Sequence, residues 1–104
     1  MENIQGPGSP QDKAFYKQEF ERAVNLFQKS LSAYDKSNIQ QQKEEFKDVM
    51  KKALHVIHQT IQQVAADQVA QKKQAQLDLD YQRFLKSDDP KNIEQLNKDL
   101  NDLK

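Results

Sequence analysis

Residues 37–65 read SNIQQQKEEFKDVMKKALHVIHQTIQQVA, and this stretch decides the fold. At about 100° per residue, Ile39, Phe46, Val49, Met50, Ala53, Leu54, Val56, Ile57, Ile61 and Val64 fall on one half of a helical cylinder. The opposite half carries Glu44, Asp48, Lys52, His55, Gln59 and Gln62. A helix so divided must bury its apolar half against something. The neighbouring segments are therefore read as candidates to cover it.

Upstream, Ser9-Pro10-Gln11-Asp12 has the order of a helix start: Ser9 as cap, Pro10 in the first turn, Asp12 at the positive dipole end. From there to about Tyr34 an apolar stripe runs through Tyr16, Phe20, Ala23, Val24, Phe27, Leu31 and Tyr34, with spacing close to a coiled-coil seam. A second line, Phe15, Leu26 and Ala33, lies about 100° away on the same helix. Asp35-Lys36-Ser37-Asn38 is a tight connection, with Ser37 and Gln40 placed as a capping box. So short a link makes the first two helices an antiparallel hairpin.

Downstream, no glycine or proline occurs between Pro10 and Pro90. Seam positions after Val64 turn polar at Asp67, Gln71, Gln74 and Asp78, before apolar residues resume at Leu77, Tyr81, Phe84 and Leu85. Two readings follow. The second helix breaks near Ala66–Gln74 and a third folds back, or it runs on to Lys86 over about 70 Å. The polar seam favours the break. Ser87-Asp88-Asp89-Pro90 then starts a last helix, with Asp89 as cap and Pro90 at its first position. Its stripe is Ile93, Leu96, Leu100 and Leu103. It is too short to hold without packing, and its seat is the second face of helix 1 or a neighbouring molecule.

Composition narrows the function classes. The chain has 104 residues, and lysine plus arginine balances aspartate plus glutamate at 16 each. No basic excess advertises a nucleic-acid binder. Cysteine is absent, which removes thiolate chemistry and zinc–sulfur sites. No apolar run is long enough to span a membrane, and no signal-peptide pattern opens the chain. A cytoplasmic location is expected, with export without a signal peptide as the alternative. Met1 to Ser9 holds both glycines and no periodicity, the pattern of a disordered tail. Within it, Gln5-Gly6-Pro7-Gly8-Ser9 also reads as a protease-site remnant introduced for expression.

Chemistry has few candidates. His55 and His58 share a helix face, but a metal site needs a third ligand, and their neighbours are Lys51, Lys52, Gln59 and Gln62. Surface histidines are the plainer reading. Asp78, Asp80, Asp88 and Asp89 are expected to be solvated or structural, because paired catalytic acids need a pocket. Phosphate loops and nucleophile elbows are missing. Lys43, Lys47, Lys51, Lys52 and His55 form a mildly basic patch interleaved with Glu44, Glu45 and Asp48, as on salt-bridged solvated faces.

Two segments resemble known families. Phe20 to Asn38, FERAVNLFQKSLSAYDKSN, is similar to the second helix of a tetratricopeptide repeat, with Ala23, Phe27 and Ser30 at its small, large and small positions. Ser87-Asp88-Asp89-Pro90, followed by Leu96 and Leu100, resembles the turn and helix of type III secretion needle proteins. Both resemblances imply a helical, contact-making protein.

The expected architecture is all-α: an antiparallel hairpin extended to a three- or four-helix bundle with coiled-coil-like seams, forming one helical domain over residues 10–104. The expected function is non-enzymatic protein–protein interaction, as an adaptor, chaperone or assembly subunit, without cofactor or metal. Its partner is another protein or a second copy. Phe15, Leu26, Leu77, Tyr81, Phe84, Leu85, Leu96 and Leu100 are the candidate contact residues. The alternatives are a type III secretion component and a nucleic-acid-associated protein using the Lys43–Lys52 face.

Overall fold

A computed structural model describes residues 10–65 and 67–104, with side chains from Lys13 onward. The expected Ser9 cap, the Asp12 side chain and the Met1–Ser9 tail lie outside the described residues. Four helices follow one another: α1 (Pro10–Lys36), α2 (Gln40–Val64), α3 (Gln68–Lys86) and α4 (Pro90–Leu103). Each connection is only a few residues long, so successive helices reverse direction. The pairs α1–α2 and α3–α4 form hairpins, and α4 also packs on α1. The result is flattened and elongated, with principal extents of 53 × 28 × 17 Å.

The polar half of α2 is exposed along its length, and Met50, Ala53, Leu54, Ile57 and Ile61 are buried. They share one core with Phe20, Ala23, Val24, Phe27, Leu31 and Tyr34 of α1, with Ala70, Leu77, Tyr81 and Phe84 of α3, and with Leu96 and Leu100 of α4. Each fully buried leucine or phenylalanine contributes about 1.5–3 kcal/mol relative to exposure. Ile39 departs from the pattern. It sits at the N-cap ahead of α2, where the helical face has not begun, and its side chain is exposed.

The capping-box reading at Ser37 and Gln40 is corrected by the turn itself. Helix α2 starts with Ile39 as N-cap, so Ser37 stands two residues too early to cap its first turn. Ser37 Oγ instead accepts the Ile39 amide at 3.2 Å, and Gln40 reaches forward to Glu44 at 2.8 Å.

Helix α2 breaks, as the polar seam suggested, at the near edge of the expected window. Residues 68–74 are regular helix. Asp67, read from sequence as a seam position, is the N-cap of α3, and its Oδ1 accepts the Ala70 amide at 2.8 Å. A carboxylate that satisfies a free amide in the first turn starts a new helix where no glycine or proline ends the old one.

After the α3–α4 turn, helix α4 starts at Pro90 as expected. Asp89 occupies the N-cap position, but its side chain makes no capping bond. The amides of Asn92 and Ile93 bond to the Asp89 backbone carbonyl, and the Asn92 side chain donates to the Ser87 carbonyl at 2.7 Å. Helix α4 settles against both α3 and α1. No described helix is long and apolar enough to cross a membrane.

Candidate interaction surface

The eight candidate contact residues separate into two groups. Leu77, Tyr81, Phe84, Leu96 and Leu100 lie in the core, because α4 folds back and closes the faces of α3 and α4 on each other and on α1. As a surface available in this arrangement they are corrected. Phe15, Leu26 and Leu85 remain outside, 57%, 46% and 40% exposed. Ile39, Val69 and Leu79 are also exposed. The last two lie on α3, whose solvent face carries more apolar residues than a simple stripe suggests.

Phe15 and Leu26 stand about three turns apart on one line of α1. Between them lie Glu19 and Arg22, joined at 3.1 Å. Beside Leu26, a shallow furrow of about 180 Å³ runs between α1 and α2, lined by Glu19, Arg22, Ala23, Leu26, Lys52, Ala53 and Val56. Its small floor residues, Ala23 and Ala53, are themselves core members. Val56 and Lys52 also border a wider open furrow on α2, about 590 Å³, with Leu54, His55 and Lys51. Together they make an apolar trough whose rims carry both signs of charge.

The basic patch is partly engaged. Lys43 and Lys47 stand over the ring of Tyr34, with Nζ 5.0 and 5.7 Å from its centroid. Lys52 pairs with Asp48 at 3.1 Å and Lys47 approaches Glu44 at 3.7 Å. The histidines separate. His55 is exposed, whereas His58 Nε2 lies 2.6 Å from Asp78 Oδ1 and joins α2 to α3. Among the described residues no group of three metal-ligating side chains converges.

Tyr34 closes the end of the bundle where α1 passes into α2. Its ring meets Phe84 edge-on at 5.1 Å, and its hydroxyl donates to Asp88 Oδ2 at 2.9 Å. Burial, the bond to Asp88 and the negative charges of Asp88 and Glu44 push the phenol up to about 12.

Sequence reading missed the two buried acids, Asp80 of α3 and Asp99 of α4, which are 2% and 6% exposed. Asp80 accepts Gln76 Nε2 at 2.9 Å and Arg83 Nη1 at 3.2 Å. Asp99 Oδ1 accepts Gln95 Nε2 at 3.0 Å, while its Oδ2 has no N–H or hydroxyl partner. Asp80 lies close enough across the α3–α4 interface to raise the proton affinity of Asp99. The signal was periodicity: Asp80 falls among Leu77, Tyr81 and Phe84, and Asp99 beside Leu96 and Leu100, on the buried sides of their helices.

No family model matches the chain, and comparison with curated proteins and with solved structures gives no significant match. The functional reading therefore rests on the surface itself.

Proposed function

We propose that the protein is a non-enzymatic helical interaction module whose α1–α2 face receives an amphipathic helix, from a partner protein or a second copy. The observation that carries this reading is Leu26, exposed beside a furrow floored by Ala23, Ala53 and Val56. Small floor residues let the ridge of an incoming helix approach closely, and Leu26 supplies apolar contact at the edge. Arg22, Glu19 and Lys52 on the rim give polar groups that select register more than affinity. Such a surface suits an adaptor, chaperone or assembly subunit.

The test pairs oligomeric mass, measured across protein concentration, with a photoreactive residue at position 26. The expected result is a crosslink to one defined helix, in a second copy or in a partner identified by mass spectrometry. Leu26→Asp should abolish that crosslink, read from a probe at position 22, while shifting stability by only about 0.5–1 kcal/mol, as for surface changes. A chain that stays monomeric and crosslinks to nothing defined would end this reading.

A further inference from the structure

Asp80 and Asp99 occupy positions where the pattern of each helix calls for an apolar side chain, and each is more than nine-tenths buried. An ionised carboxylate is strongly disfavoured in such a place unless it is paired and hydrogen-bonded. Asp80 has donors from Gln76 and Arg83, but Asp99 has only Gln95, and its Oδ2 is left without a protein donor. The charged groups facing Asp99 are Asp80 across the α3–α4 interface and Asp102 on its own helix, both negative. From α1 the uncharged Gln28 reaches α4, donating to Asn97 and Asn101. A buried carboxyl with one oxygen that no donor meets, beside a like charge, is favoured in its protonated form.

We propose that a proton on Asp99, buried beside Asp80, latches α4 onto α3, and that its loss releases α4 while the α1–α2 hairpin stays folded. Helix α4 is suited to act alone. It is 14 residues long, the last helix of the described chain, and held in the core chiefly by Leu96 and Leu100. A helix of that length does not persist without packing, so release also melts it.

The direction of the effect follows from the environment. Burial and the nearby Asp80 and Asp102 push Asp99 up to about 7. For Asp80, burial acts upward, but the neighbouring Asp99 and the Gln76 and Arg83 donors outweigh it and hold the group below the ordinary carboxylate range. A carboxyl that binds its proton more tightly when docked stabilises docking fully below its free value, about 3.9. That stabilisation declines as pH rises and is gone above about 7. Asp80 is shifted the other way, so its contribution is lost only at acid pH, below the same free value, and does not cancel the effect between pH 5 and 7.

Amide hydrogen exchange on the full chain at pH 5, 6, 7 and 8, corrected for intrinsic chemistry, tests the latch. Protection in α4 should fall by up to about tenfold per pH unit between 5 and 6.5 and then level off, while the core amides of α1 and α2 change little. Asp99→Asn, which keeps the shape and cannot ionise, should remove this dependence. Carbon-13 titration of the Asp99 carboxyl in the unaltered protein should give a midpoint near 7, whether or not the variant folds. A midpoint in the ordinary carboxylate range, constant α4 protection, equal losses in all four helices, or an unchanged pH dependence in Asp99→Asn would each overturn the proposal.

Discussion

The hydroxyl of Tyr34 donates to Asp88 Oδ2 at 2.9 Å, tying the end of α1 to the turn between α3 and α4. The same ring packs edge-on against Phe84 and lies beneath Lys43 and Lys47, so one side chain joins both hairpins at this end of the bundle. Removing different parts of it should separate these contributions.

Tyr34→Phe keeps the ring contact with Phe84 and deletes one hydrogen bond to a charged, half-exposed acceptor. A loss of about 1–2 kcal/mol is expected in urea denaturation. Tyr34→Ala also leaves a cavity beside Phe84, and its loss should reach about 3–5 kcal/mol.

Tyr34 also predicts an alkaline limb of stability. Its phenol is pushed up to about 12 in the fold, above the ordinary value near 10. The folded state therefore holds the proton longer, and the stabilisation is complete below pH 10. It is lost as pH rises from 10 to about 12. Denaturation midpoints across that window should fall, and Tyr34→Phe should fall less steeply.

The cap at Asp67 makes a narrower prediction. Asp67→Ala removes the acceptor of the Ala70 amide and should cost about 1 kcal/mol, while Asp67→Ser should recover most of it. Exchange at the Ala70 amide should accelerate in the alanine variant alone.

The division of the apolar residues can be read by truncation. Leu96→Ala and Leu100→Ala remove fully buried side chains and should each cost about 2–5 kcal/mol. Phe15→Ala and Leu85→Ala act on exposed positions and should stay within about 0.5–1 kcal/mol. Thermal or urea denaturation of the four variants suffices.

His58 and Asp78 join α2 to α3 through a short contact, with each side chain more than a third exposed. A double-mutant cycle with His58→Gln and Asp78→Asn should return a coupling below about 1 kcal/mol, as for solvent-screened pairs. A larger value would show that this contact, and not the shared core, holds the two hairpins together.

Local pattern was enough to read the helices, the α1–α2 hairpin, the start of α4 at Pro90 and the buried stripe of α2. Period and end signals are properties of neighbouring residues, and they act before any packing partner is chosen. The exact starts of the helices were less legible, because Ser37, Asp67 and Asp89 all have capping chemistry and only the backbone path decides which side chain meets a free amide.

What only the tertiary structure decided is which apolar faces remain outside. Leu96 and Leu100 have the same amphipathic signature whether they meet α3 in this chain or a helix in another, and their burial depends on α4 folding back. The same holds for Asp80 and Asp99. Each alone reads as an ordinary charged residue of a charge-rich chain, and only the packing of α4 against α3 and α1 leaves both carboxyls buried.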